Sequence, residues 1–175
     1  DASFLRHQVA GGVLTTTRRQ LAEIGLEDRF PAVIEEVSRV RAELGIAPDA
    51  LVVGMAGRFV AEKGFPEFLA AAEKVASREN VRFLAVGHRL ASERAGETWT
   101  PPASGPLAGK LTVLHDRDDM PDLYAAMDVH VLPSHREGFP RVLMEGAATG
   151  LAQVATNIRG CRQTVAAGAT GFLVE

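Results

Sequence analysis

Short apolar runs rich in β-branched residues alternate with helical patterns along most of this chain, and that alternation limits what it can fold into. LVVGMAG (51–57) is a buried-strand pattern ending in glycine, and FPEFLAAAEKVAS (65–77) is an amphipathic helix with Phe65, Phe68, Leu69, Ala72 and Val75 or Ala76 on one face. VRFLAVG (81–87) and LTVLHD (111–116) are further strands, the latter followed by a short helix at MPDLYAAM (120–127). VHVLP (129–133), the helix PRVLMEGAAT (140–149), AQVAT (152–156) and GFLVE (171–175) complete the series. Continuous apolar strands separated by helices predict an α/β doubly wound parallel sheet, Rossmann-like, with both faces covered.

The ends are less regular. VIEEVSRVRAEL (33–44) reads as a charged amphipathic helix closed by Gly45, a residue suited to a helix C-terminus. VLTTT (13–17) suggests a strand and the residues after it a short helix. Residues 91–110, rich in Gly, Pro and Ala, suggest an inserted loop or flap.

With 175 residues the chain is expected to form one main domain with a substantial core. A formal net charge of -3 argues against a general nucleic-acid binder and leaves room for a local basic pocket. The single cysteine, Cys161, cannot form an internal disulfide, which favours a reducing, cytosolic setting. No run approaches the roughly 20 apolar residues of a membrane helix, and no signal-peptide pattern opens the chain. A start at Asp1 rather than methionine raises the expectation of a processed chain or a piece of a longer one.

Two stretches carry chemistry. GRFVAEKG (57–64) follows the strand at 51–57 and so sits at its carboxyl end, where such sheets bind ligands. Gly57 permits close backbone approach, Arg58 offers a planar donor fork and Lys63 a point charge, a combination suited to a diphosphate. Gly64 opens the following helix. The plain alternative is two solvated cations and two turn glycines. Neither the dinucleotide G-x-G-x-x-G nor the G-x-x-x-x-G-K-[ST] loop is present there.

SHREGFPRVLMEGAATG (134–150) is the second stretch. Pro140 suits the first helical position, Gly138 lets the backbone pass close to a ligand, and free amides at the helix start attract anions. Glu145 lies about 7.5 Å along the helix axis from Pro140, within reach of a ribose diol, and Glu137 precedes the turn. Two carboxylates for hydroxyls with an anion site between them describe a receptor for a nucleoside-diphosphate sugar. The plain alternative is an acid complementing the helix dipole and an ordinary surface glutamate.

Together these blocks identify a resemblance. LGIAPDALVVGMAGRFVAEKG, HDRDDMPDLYAAMDVHVLPSHREGFPRVLMEGAATG and VATNIRGCRQTVAAGATGFLVE, spanning about residues 44–175, resemble the C-terminal, donor-binding half of the retaining glycosyltransferases of family 4, the group 1 transferases of GT-B architecture. The resemblance implies that Arg58 and Lys63 bind the diphosphate. It makes Glu137 and Glu145 the two acids of an E-x7-E motif, the first on donor-sugar hydroxyls and the second on the ribose. The backbone at Gly138 and Phe139 would close on the sugar and diphosphate, with DRDDM (116–120) beside the base. Catalysis in such enzymes rests on groups like Arg58 and Lys63 stabilising the departing diphosphate, with Glu137 positioning the sugar rather than acting as a base. No cofactor or metal is implied. The expected partners are a nucleotide-sugar donor, by analogy UDP-linked, and a glycan or lipid-linked acceptor held by a separate N-terminal domain. The analogy extends to polysaccharide biosynthesis in the cytoplasm, with peripheral association at the inner face of the membrane.

Residues 33–175 would then form the nucleotide-sugar-binding domain, incomplete at its C-terminus, with residues 1–32 an N-terminal extension or interdomain remnant. Gln153 stands where the family often has proline. Asp116-Arg117-Asp118 has the D-x-D spacing of metal-dependent transferases of another architecture, but helix capping by Asp118 or Asp119 is a sufficient explanation. Histidines 7, 88, 115, 130 and 135 lack zinc-ligand spacing. A sugar-nucleotide epimerase of related architecture and a nonenzymatic α/β binding domain are the competing readings.

Overall fold

The computed structural model describes residues 31–88 and 105–175, the first six of these as backbone only. The expected strand at 13–17, the helix after it and most of the 91–110 loop lie outside the described residues. Within them the alternation resolves into helix α1 (Pro31–Glu43), strand β1 (Leu51–Arg58), helix α2 (Phe65–Val75), and strands β2 (Val81–His88) and β3 (Leu111–His115). Helix α3 (Met120–Ala125), strand β4 (Val129–Leu132), helix α4 (Arg141–Ala148), strand β5 (Ala152–Thr156) and strand β6 (Gly171–Val174) follow. Short 3-10 turns at Ala61–Lys63 and Cys161–Gln163 complete the described set.

The strands form one sheet in the order β3-β2-β1-β4-β5-β6, with every described pairing parallel. That is the doubly wound arrangement that the alternation predicted, and it matters for function. The chain builds outward from β1 to β3, then crosses back to lay β4 on the other side of β1. The loops leaving β1 and β4 therefore diverge, and a crevice opens between their carboxyl ends.

Strand side chains alternate between two cores, as burial on both faces requires. Met55 and Phe83 join Phe65 and Phe68 of α2 in one cluster. Val52, Ala56 and Leu84 join Val40 of α1 and Leu123 of α3 in the other. The apolar face of α2 closes with buried Ala76, the C-cap residue just past the helix, while Val75 is 37% exposed.

Helix α1 ends as its sequence indicated. Gly45 has φ 65, Gly45 N donates to Ala42 O and Ile46 N to Arg41 O, the paired bonds of a Schellman motif. The helix is tied to the sheet by buried Arg41. Its guanidinium donates to the carbonyls of Ala126, Pro48 and Ala50 and to Asp128 Oδ2, 3.0 Å away. The same Asp128 oxygen accepts from Val52 N at 2.8 Å, at the start of β1.

Candidate functional site

The crevice is built by lacing together the loops that leave β1 and β4. After Arg58, buried Phe59 packs on Phe65 with ring centroids 4.8 Å apart and anchors the 57–64 loop in the core. Gly64 has φ 85, and a Cβ there would fall 2.1 Å from Pro133 O, so only glycine lets this turn rest against the end of β4. His135 N donates to Glu62 O at 2.9 Å. The hydroxyl of fully buried Ser134 lies 3.3 Å from Lys63 O and 3.2 Å from Glu137 Oε1, and with one proton it serves one acceptor at a time. Lys63 Nζ donates to Glu137 Oε1 at 2.5 Å. The cation and the carboxylate expected from separate motifs are thus direct partners.

The chain after β5 braces this loop from behind. Thr156 Oγ1 donates to Ser134 O at 2.5 Å. Gly160 lies so close to the Glu137 turn that a Cβ would meet Glu137 O at 2.5 Å and Gly138 O at 2.9 Å. Next to it, buried Cys161 has its thiol pKa raised by burial first and by the charge of Glu137 second.

Two adjoining lobes open at the sheet's carboxyl edge. The first, about 240 Å³, is lined by Gly57, Arg58, Lys63, Glu137, Phe139 and the start of α4. The second, about 300 Å³, shares Gly57, His88, Arg141 and Val142 with it and extends to Asp116, Arg117, Tyr124 and Glu145. Helix α4 begins between them, with Pro140 at its N-cap position. Leu143 N already donates to Pro140 O at 3.0 Å, so the Arg141 and Val142 amides, which lack intrahelical acceptors, are the ones that stand at the junction.

Glu145 sits on the second turn of α4, where Tyr124 Oη donates to its Oε2 at 2.9 Å. Burial, then the Glu145 charge and this hydrogen bond, raise the Tyr124 pKa well above the usual tyrosine range. Across the lobe Arg117 pairs with Asp119 and, at 2.8 Å, with Glu43 of α1. The Arg117 hydrogen bond holds the Asp119 carboxyl below its ordinary pKa. Asp119 occupies the N-cap position of α3, but its side chain makes no capping bond. The expected capping role gives way because the guanidinium two residues earlier takes the carboxylate. Asp116, with φ 52, turns the chain at the end of β3. Among the described residues no group of three or more His, Cys, Asp or Glu is placed to hold a metal ion.

Most of the residues singled out from sequence meet here. Gly57, Arg58, Lys63, Glu137 and Phe139 share the first lobe, with Phe139 59% exposed, and Gly57 and Glu145 share the second. Gly138 is not among the lining residues, and a Cβ on it would meet nothing within 4 Å. Sequence reasoning did not single out Tyr124, Ser134, His88 or Arg141. Tyr124 left a signal, as the chain's one tyrosine set in an apolar helix face, where a buried hydroxyl needs a partner.

The family model described as "Glycosyl transferases group 1" matches residues 50–175. A second model, "Conserved carboxylase domain", matches residues 4–81, less than half of the chain. Its overlap with the first falls on β1, α2 and the start of β2, which belong to the one sheet. The capsular polysaccharide biosynthesis glycosyltransferase CapM of Staphylococcus aureus is 33% identical over 128 residues, 73% of this chain and 33% of its own length. The D-inositol 3-phosphate glycosyltransferase of Corynebacterium efficiens is 34% identical over 145 residues, 78% of this chain and 34% of its own. The chain therefore spans about a third of the length of these relatives. Among solved structures, Anabaena Alr3699/HepE in complex with UDP and glucose superposes with a TM-score of 0.67 at 26% identity, covering 81% of this chain and 38% of that one. Fold, sequence blocks and family match agree, and the chain belongs to the group 1 glycosyl transferases, with the Rossmann-like fold of GT-B enzymes.

Proposed function

We propose that this chain is the donor-binding domain of a retaining glycosyltransferase that takes a nucleoside-diphosphate sugar, with UDP as its nucleotide. One observation carries the reading: the two-lobed cleft at the sheet's switch point. Arg58, Lys63 and the start of α4 stand at one lobe and its junction, with Glu137 beside them and Glu145 in the other lobe. The ribose lies against Glu145, the diphosphate at the α4 N-terminus between Arg58 and Lys63, and the sugar against Glu137 and the 137–139 turn. The UDP and glucose in the complex of Anabaena HepE support the choice of nucleotide.

Each group then has a physical task. As the bond from the anomeric carbon to the diphosphate oxygen breaks, its electron pair moves onto that oxygen. Arg58, Lys63 and the helix amides stabilise the resulting charge. The acceptor oxygen attacks the same face of the sugar and gives its proton to the departing phosphate, which retains the anomeric configuration. Glu137 positions sugar hydroxyls through the oxygen that Lys63 leaves free. This chemistry needs no metal. The acceptor is a glycan or lipid-linked sugar held by a partner domain, working in the cytoplasm at the inner face of the membrane. No described helix is long and apolar enough to cross one.

Calorimetric titration of the chain with UDP and GDP, beside Arg58→Ala and Glu145→Ala, tests the reading. Saturable binding of UDP, lost or strongly weakened in both variants and unaffected by a chelator, is the expected result. Binding of neither nucleotide at millimolar concentration would overturn it for this chain.

A further inference from the structure

Glu145 projects from the exposed side of α4, where a free carboxylate would sample several rotamers. It is not free, because Tyr124 Oη holds Oε2 at 2.9 Å. We infer that Tyr124 is a positioning residue that fixes Glu145 in advance for a vicinal diol, and so sets the preference for ribonucleotides over nucleotides lacking the 2′ and 3′ hydroxyls. The inference rests on the nucleotide reading of the cleft and adds a residue to it.

The phenol suits this task. Burial and the neighbouring Glu145 charge keep Tyr124 protonated, so it acts as donor to the carboxylate. With Oε2 engaged, Oε1 is left to accept from a diol in the lobe that both residues line. Ordering the carboxylate before the ligand arrives removes an entropic cost from binding.

Tyr124 is itself held in place. It is 1% exposed, and the His130 ring meets it edge-on, with centroids 5.4 Å apart and planes at 76°. His130 fits there because residue 146 is glycine: a Cβ would fall 2.8 Å from His130 Nδ1. Adjacent residues of α4 thus act on one tyrosine. Glu145 accepts its hydrogen bond, and Gly146 makes room for the ring behind it.

The test titrates the chain, Tyr124→Phe, Glu145→Ala and the double variant with UDP or GDP, whichever binds, and with its 2′,3′-dideoxy counterpart. Tyr124→Phe is expected to weaken the ribonucleotide about fivefold to tenfold while leaving the dideoxy nucleotide unchanged. Glu145→Ala abolishes the preference, and the double variant behaves like it. Equal losses on both nucleotides would mark Tyr124 as a packing residue and overturn the inference. So would a Tyr124→Phe protein with the unaltered preference, and either result leaves the donor-site reading standing. Binding of neither nucleotide removes both. If Tyr124→Phe does not fold, the single tyrosine of the chain offers a second readout in its hydrogen-bond-sensitive Raman doublet. That doublet should change between the parent protein and Glu145→Ala, and an unchanged doublet would overturn the inference.

Discussion

Lys63 Nζ and Glu137 Oε1 are 2.5 Å apart, joining the loop that leaves β1 to the loop that leaves β4 across the switch point of the sheet. Their side chains are 18% and 9% exposed, so the pair is partly shielded from solvent. On the proposed donor-site reading, Lys63→Ala should lower nucleotide affinity by about tenfold or more, since a charge-assisted contact to the diphosphate would be lost. It should also reduce stability by leaving Glu137 with Ser134 alone. A double-mutant cycle with Glu137→Gln, followed by urea denaturation, should give a coupling of about 0.5–3 kcal/mol. Strict additivity would show that the two residues act independently.

Arg41 joins α1 to the sheet through one buried guanidinium and four acceptors. Arg41→Met would strip Asp128 of its charged partner and leave three carbonyls unbonded. A loss of about 3–5 kcal/mol is expected from the urea midpoint, with a smaller loss in Arg41→Met/Asp128→Asn. Helix α1 precedes the group 1 transferase match at residue 50 and lies inside the carboxylase match. A small effect would mean that it contributes little to the domain.

Gly160 touches the site from behind. In Gly160→Ala the new Cβ would meet two backbone oxygens of the Glu137–Gly138 turn below 3.0 Å, and backbone cannot rotate aside as a flexible side chain can. The turn must shift, so a stability loss of about 1–3 kcal/mol should accompany weaker donor binding. Thermal melts beside UDP-sugar titrations check this, and a loss of stability with unaltered binding would separate the brace from the site.

Strand and helix succession was legible because strands buried on both faces read as continuous apolar runs, and the sheet order realises the doubly wound arrangement they imply. The two site motifs were legible for a related reason. Glycine, proline and charge cluster where a strand ends and a helix begins, and the structure brings Gly57, Arg58, Lys63, Glu137, Phe139 and Glu145 to one cleft. Pairings between distant segments were not legible. Nothing local to MPDLYAAM indicates that Tyr124 reaches Glu145, 21 residues on. Nothing in DRDDM reveals that Arg117 takes Asp119 from its capping role while also reaching Glu43, 74 residues earlier. Such contacts depend on how helices pack over the sheet, which periodicity does not encode.

His130 supplies a pH signature. It is fully buried on β4, and neither ring nitrogen has a hydrogen-bond partner among the described residues. Desolvation lowers its pKa from 6.5 to about 4, so the folded protein holds the imidazole neutral. The unfolded chain therefore binds the extra proton first as pH falls. Stability from this source is complete above about pH 6.5 and declines through the window down to about pH 4, by on the order of 3 kcal/mol in total. His130→Phe removes the titrating group and two unpaired polar atoms while keeping an aromatic ring against Tyr124. It should match or exceed the parent protein in stability at pH 7, because apolar replacement of an unsatisfied buried group carries little cost. Urea denaturation of both proteins at intervals from pH 7 to pH 4 checks the sign. The parent should lose stability faster than the variant across that range, and parallel curves would show that His130 does not stay neutral in the folded state.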